Sequence, residues 1–173
     1  MQETPAERAQ LDALLESSRA RATEHLQSII SDDRALNARQ ITRLLSGMKV
    51  LALATVSAKG APRISAVDGH FLHGAWIFTT DPASAKASHL DHCSAVSAAH
   101  IDHERCAVFC HGEASRLRPE VTHYRSAVEH LSRHYGVSPD SWGEDTNLYR
   151  IEPTWMVGFA ADPRLFAELG LED

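Results

Sequence analysis

Apolar residues recur at helical spacing through the N-terminal part of the chain, between charged positions. They are Leu11, Leu14, Leu15, Ala22, Leu26, Ile29 and Ile30. This pattern predicts one long amphipathic helix from Ala6 to Ile30. A second helix is predicted after Asn37, because Asn37 can cap it, Gln40 stands at the capping-box position and Gly47 can end it. Two helices therefore precede the rest of the chain.

After Met48 the pattern changes to short β-prone runs separated by Gly, Pro and Asp. The predicted strands are Val50 to Val56, Pro62 to Phe71, Ala75 to Thr80, Ala95 to Ile101, Cys106 to Leu117 and roughly Leu148 to Gly158. The first three are joined by the turns Ser57–Gly60 and His73–Gly74, which leave no room for a crossover helix. The sheet is therefore predicted to begin as an antiparallel meander.

Three further helices are predicted among the strands. One follows the third strand, with Asp81 as cap, Pro82 in the first turn and Ala83 to Leu90 as its body. The others run from Pro119 to Tyr135 and from about Arg164 to Leu169. Six mostly antiparallel strands with helices at both ends predict a mainly β or α+β fold, a small barrel with peripheral helices.

Composition limits the classes of partner. The chain has 173 residues, a formal net charge of −6 and no run of basic residues, so nucleic acid is not an expected partner. No apolar run is long enough for a membrane span. Three cysteines and a polar N-terminus without a signal-peptide pattern favour the cytoplasm. We divide the chain into an N-terminal helical extension, residues 1–47, and a barrel domain, residues 48–173.

The segment IFTTDPASAK is the strongest local indication of a binding site. A strand that ends in Thr79 and Thr80 leads into a helix whose first turn carries Ser84, with Lys86 two residues later. Backbone N–H groups at a helix start, hydroxyls and an ammonium group together suit a phosphate. The alternative is a plain capping segment with an exposed lysine, and the spacing by itself does not decide between them.

The order of motifs points to a family. The run from Gly60 to Gly69, the run from Trp76 to Lys86, and the Ala95–Val96–Ser97 strand together resemble the flavin-binding split β-barrel family that includes pyridoxamine 5′-phosphate oxidase. The resemblance covers roughly Met48 to Leu117, with a weaker similarity in YRIEPTWMVGF near the C-terminus. It implies a six-stranded antiparallel split β-barrel and an oxidoreductase that acts on a small organic substrate.

The resemblance also implies positions for the cofactor. Arg63 would begin the strand beside the flavin ring, and Thr80, Ser84 and Lys86 would surround the phosphate, with Thr79 just before them. The residues that would line the ring through their backbone are Ile64, Ser65, Ala66 and Val67. A barrel of this size is filled by its own side chains, so the ring would lie at the interface of a homodimer. Trp155 could face the cofactor across that interface, although core packing is the favoured alternative.

Departures from the oxidase pattern narrow the expected activity. The oxidase has Ser-Arg-Lys where this chain has Ser84–Ala85–Lys86, and a lysine where this chain has Asp68. We therefore expect a relative that is not a vitamin B6 oxidase, with FMN as cofactor and a deazaflavin coenzyme as the alternative. Haem is less favoured. A non-catalytic flavin- or haem-binding protein and a cofactor-free structural relative stay open, and no catalytic side chain is identified.

Histidine and cysteine form a competing pattern, because the chain has 11 His and concentrates many of them near its three Cys. Cys106 and Cys110 lie about 13 Å apart along a strand, too far to share one ion. We therefore predict no metal site, small buried cysteines and mostly exposed histidines. His70 and His73, beside the second turn, are expected to be exposed to solvent.

Overall fold

Six antiparallel strands close into a barrel in the order β1-β2-β3-β6-β5-β4. The computed structural model describes residues 3–139, 141–142 and 146–171. The strands are β1 Met48–Val56, β2 Pro62–Leu72, β3 Ala75–Thr80, β4 Ala95–Asp102, β5 Cys106–Arg116 and β6 Asn147–Ala160. The predicted fold class is confirmed, and the predicted strand ends differ from the observed ones by one or two residues.

Six helices accompany the barrel in the described part of the chain, and none of these is long and apolar enough to span a bilayer. They are α1 Pro5–Ala20, α2 Glu24–Ile29, α3 Ala38–Leu44, α4 Ala85–His92, α5 Tyr124–Tyr135 and α6 Leu165–Glu168. The short α6 confirms the predicted terminal helix.

The single helix predicted from Ala6 to Ile30 is wrong, because the chain breaks at Arg21 into α1 and α2. Thr23 is the physical reason for the break. Its hydroxyl accepts a hydrogen bond from the Leu26 N–H and so caps a new helix, which competes with continuation of the old one. The apolar periodicity continues through the break and does not reveal it.

The capping box predicted for α3 is confirmed. The Asn37 side chain accepts from the Gln40 N–H, and the Gln40 side chain accepts from the Asn37 N–H, both at 2.9 Å. Gly47 follows the helix with a φ of +77°, a conformation that glycine adopts without a steric penalty.

Two helices begin later than predicted. The cap of α4 is Ser84 and not Asp81, because the Asp81 carboxylate accepts from the Ala83 N–H and closes a turn before the helix. The helix predicted from Pro119 begins at Tyr124, because His123 has a φ of +73° and so interrupts helical geometry. Both differences arise from local turns that the apolar pattern does not record.

One hydrophobic cluster fills the barrel and continues into the N-terminal helices. Trp76, Phe78 and Ile151 lie within it, and Leu15 of α1 and Ile41 of α3 belong to the same cluster. A second, smaller cluster packs α5 against the outside of the barrel. Its members are Leu72, Ile77, Leu117, Ala127, Leu131 and Leu148. The division at residue 47 stays a prediction, and the shared cluster shows that the helices and the barrel pack together.

Gly112 allows a close approach of β5 and β6 at a register shift between His111 and Gly112. A Cβ atom at position 112 would overlap the Glu152 carbonyl oxygen, and backbone cannot move aside as a flexible side chain can.

We therefore expect Gly112→Ala to lower the free energy of unfolding by about 1–3 kcal/mol in urea denaturation. The control is Gly60→Asn, at a turn position with a φ of +74° and no atom in the way of a Cβ, where Asn tolerates the left-handed conformation. Equal stability of the two variants would contradict the role of Gly112 in the close approach of β5 and β6.

Candidate functional site

The strands β2 and β3 separate part-way along their length. They pair from Gly69 opposite Phe78 to Leu72 opposite Ala75, while the first half of β2 pairs only with β1. Beyond Phe78, β3 continues along β6. If the β2–β3 ladder continued, Val67 would lie opposite Thr80. Among the described residues, the backbone edge of β2 from Arg63 to Val67 therefore has no strand partner on this side.

Thr80, Ser84 and Lys86 meet on the other side of this separation, and we call them the hydroxyl–lysine cluster. The Thr80 and Ser84 hydroxyl oxygens lie 3.0 Å apart, and Lys86 Nζ donates to Thr80 Oγ1 at 3.3 Å. The Ser84 Oγ also accepts from the Ala87 N–H at 3.2 Å as the cap of α4. Thr80 thus contacts both of the other residues that were predicted to surround a phosphate.

The donors in the cluster suit an anion. One ammonium group and two hydroxyls converge at the start of α4, where the N–H groups of Ala85 and Lys86 have no acceptor within the helix. Thr80 is buried, whereas Ser84 and Lys86 are half-buried. A ligand can therefore reach the cluster from the open side.

Asn147 is a neighbour of the cluster that the sequence did not indicate. It lies opposite Thr80 in the β3–β6 ladder. Its Oδ1 is buried and has no hydrogen-bond partner within the described part of the chain, while its Nδ2 faces the Tyr149 hydroxyl at 3.5 Å. Buried polar atoms without a partner are rare, so Asn147 is a further candidate contact for a ligand. No motif in the sequence marks it.

The side chains of the predicted ring-binding strand do not share one face. Opposite residues of a ladder lie on the same face, so Arg63, Ser65 and Val67 lie on the face of Thr55, Leu53 and Leu51. Ile64 and Ala66 lie on the outer face and are exposed. What residues 63–67 have in common is the free backbone edge.

Thr79 and Trp155 lie away from the cluster within one chain. Thr79 is half-buried and alternates to the opposite face of β3 from Thr80. Trp155 lies eight residues along β6 from Asn147, about 26 Å at the usual strand rise. Its ring stacks on that of His111, and its Nε1 donates to the Ser18 carbonyl of α1 at 3.1 Å. Trp155 thus anchors α1 to the barrel.

His70 is buried, so the expected exposure of this residue was wrong. It lies on the outer face of β2, which α5 covers. Its Nδ1 lies 3.0 Å from His130 Nε2, and its Nε2 lies 3.2 Å from the Tyr135 hydroxyl. The Tyr135 hydroxyl in turn donates to Asp68 Oδ2 at 3.5 Å, beside the separated strands. A hydrogen-bonded chain thus connects α5 with the edge of the candidate site.

Two of the three cysteines lie inside the fold. Cys106 and Cys110 are buried as predicted, whereas Cys93 is only half-buried. Burial raises the pKa of Cys110 to about 12, so its thiol stays protonated at neutral pH.

Comparison with known proteins identifies the family. The sequence profile described as "Pyridoxamine 5'-phosphate oxidase" matches residues 38–158, which is well over half of the chain. The chain belongs to this family. The match confirms the resemblance derived from the motifs and extends it through β6. No curated protein sequence matches the chain.

Similar solved structures share the fold at low identity. HutZ, the heme storage protein from Vibrio cholerae, has a TM-score of 0.61 at 20% identity, covering 70% of this chain and 92% of that one. A FAD-binding protein from Mesorhizobium loti has a TM-score of 0.57 at 19% identity, covering 73% and 95%. An F420 reductase has a TM-score of 0.52 at 21% identity, covering 65% and 92%. This chain spans only 55% of another similar structure, a protein of unknown function from Agrobacterium tumefaciens.

Burial of His70 makes stability depend on pH. Burial is the largest cause that lowers the pKa of His70 to about 4, and the charges of His130 and His134 add to it. Between pH 6.5 and about 4 the unfolded chain therefore binds more protons at this residue than the folded chain. We expect the free energy of unfolding to fall by up to about 3 kcal/mol as pH drops through this range, and to be unaffected by His70 above it.

Urea denaturation at pH 5.0 and 7.5 checks this expectation. His70→Gln should reduce the difference between the two pH values, although the lowered pKa values of His100, His123 and His130 leave part of it in place. His25→Gln, at an exposed position of α2, should retain the full difference. The same pH dependence in His70→Gln as in the wild type would contradict the role of His70.

Proposed function

We propose that the protein binds FMN where β2 and β3 separate, and that it acts as an oxidoreductase on a small organic substrate. The observation that supports this most directly is the hydroxyl–lysine cluster facing a free strand edge. The family and the fold support a flavin-type cofactor in general, and the contacts among Thr80, Ser84 and Lys86 support one that carries a phosphate, as FMN does.

The phosphate would bind at the hydroxyl–lysine cluster. Lys86 supplies a charge-assisted hydrogen bond, and the Thr80 and Ser84 hydroxyls can rotate to donate to phosphate oxygens. The start of α4 adds N–H groups and the positive end of the helix dipole. Asn147 Oδ1 is an acceptor, so it suits a hydroxyl of the ribityl chain and not the phosphate itself.

The ring would lie along residues 63–67 of β2. The edge of the pyrimidine ring of a flavin alternates donors and acceptors, as does the edge of a strand. Backbone contacts of this kind place little demand on side-chain identity, which fits the mixture of Arg63, Ser65 and Ala66 along this edge.

The bound cofactor would supply hydride or electron transfer, and the protein would orient it and exclude solvent. Asp68 is the ionisable side chain that follows the strand edge directly, and it is held by the Tyr135 hydroxyl. The Asp68 carboxylate and the Tyr135 hydroxyl would therefore influence the electrostatic potential beside the flavin ring.

Lys86→Met tests the phosphate site. Loss of a charge-assisted contact should weaken FMN binding by about 1.5–3 kcal/mol, roughly 10- to 100-fold in the dissociation constant, measured by flavin fluorescence titration. The matched control is Lys59→Met, at an exposed position in the β1–β2 turn, which should bind as the wild type does. Unchanged affinity in Lys86→Met, or absence of FMN binding by the wild type, would overturn the proposal.

A deazaflavin coenzyme is the second candidate, and the lone cation favours it. The phosphate of FMN is a monoester with nearly two negative charges. The phosphodiester of a deazaflavin coenzyme carries one negative charge, which a single lysine can balance. The similarity in fold to an F420 reductase is consistent with this alternative. The same titration with the deazaflavin coenzyme decides between the two. An absorbance spectrum of the purified protein separates both from haem binding, for which HutZ offers a precedent in this fold.

We further propose a homodimer that forms over the outer face of β1, β2 and β4. Large apolar side chains are exposed on this face, with Val50 at 59%, Ile64 at 77% and Ile101 at 57% exposure. The small residues Ala52 and Ala99 lie opposite each other between them. A partner on this face would border the free edge of β2 and so complete the ring site.

Light scattering after size-exclusion chromatography tests this interface. We expect a dimer for the wild type and a monomer for the double variant Val50→Asp/Ile101→Asp, because two buried carboxylates would face apolar surface without partners. Val137→Asp, a charge at another exposed valine outside the sheet, should stay dimeric. A monomeric wild type, or a dimeric double variant, would contradict the proposed interface.

A further inference from the structure

Glu7, His73 and His123 form a compact group outside the candidate cofactor site. Each offers one ligand atom, and these atoms all lie within 4.8 Å of one another. Glu7 Oε1 and His73 Nδ1 are 3.0 Å apart, and the rings of His73 and His123 lie 5.0 Å apart between centroids. All three side chains are half-buried, so the group is sheltered and still accessible to an ion.

Three separate elements supply these residues. Glu7 lies in the first turn of α1, His73 in the β2–β3 turn, and His123 immediately before α5. In the sequence, the histidines concentrate around the three cysteines, and no spacing connects Glu7, His73 and His123. Folding alone brings them together.

The donor set matches a transition metal. Two imidazoles and one carboxylate are a common set of three protein ligands for zinc, with the fourth position left open. Zinc bonds of about 2.0–2.1 Å in a tetrahedron place donor atoms about 3.4 Å apart. The present separations are up to 4.8 Å, so side-chain movements of about 1 Å would close the site.

The surrounding charges are compatible with a cation. Arg150 donates to the His73 carbonyl at 3.2 Å, and its charge is balanced by an ion pair with Glu152. Glu7 Oε2 accepts from the Thr4 N–H at 2.7 Å, which holds the carboxylate in place while its Oε1 faces His73.

We propose that Glu7, His73 and His123 bind one zinc ion per chain, which fastens the start of α1 to the β2–β3 turn and to α5. Water would complete the coordination. Because the ion would join three elements that are distant in the chain, its binding would add to the stability of the fold.

Zinc titration of the full-length protein without an affinity tag tests the proposal, by calorimetry in the presence of a competing chelator. We expect one zinc per chain and a melting temperature that rises with zinc concentration. His73→Asn and His123→Asn should each weaken zinc binding by about tenfold or more, since each removes a ligand while Asn tolerates the left-handed backbone at these positions. Glu7→Gln removes the charge and can still accept from the Thr4 N–H.

His103→Asn is the matched control. His103 also has a left-handed backbone, with a φ of +50°, but lies on the β4–β5 turn outside the group. It should bind zinc as the wild type does. The proposal would be overturned if the three variants of the proposed ligands bound zinc as tightly as the wild type does, or if the wild type showed no stoichiometric zinc binding. The measurement needs no flavin, so its outcome is independent of the proposed cofactor.

Discussion

The end of the β2–β3 ladder at Gly69 and Phe78 is the constraint on which the candidate site depends. Past this point each strand keeps one neighbour, β2 with β1 and β3 with β6. The backbone groups on the free edge of β2 then need water or a ligand as partners, because unpaired backbone groups are costly once buried. The same separation places Thr80 where a turn can bring Ser84 and Lys86 onto it.

Features encoded over a few residues could be predicted from the sequence. Asn37 and Gln40 indicate the start of a helix, because both halves of the capping box lie within four positions of the sequence. Thr80, Ser84 and Lys86 lie within seven positions, so a strand end followed by a helix start is enough to bring them together. The family resemblance then supplied a reason for these three residue types, which spacing alone did not.

Features that depend on distant parts of the chain could not be predicted in this way. His70 looks like a surface residue beside a turn, and only the packing of α5 over β2 buries it against His130, 60 positions away. Glu7 and His73 are 66 positions apart and meet because α1 lies against the barrel. The helical periodicity of the sequence indicates which face of α1 is apolar, but it does not indicate which part of the barrel that face packs against.

Ser84 shows how helix capping and ligand binding can use the same side chain without conflict. Its oxygen accepts from the Ala87 N–H, which occupies one lone pair, and its proton remains available to an acceptor. A phosphate that accepts a hydrogen bond from this hydroxyl, in place of its contact with Thr80, would leave the cap of α4 intact. Because Lys86 is the cluster's single cation, the neutral hydroxyl and N–H donors would carry much of the interaction with the proposed phosphate. The position of α4, set by its cap and by the Thr55–His89 contact at 2.9 Å, would therefore determine how well the proposed site holds a phosphate.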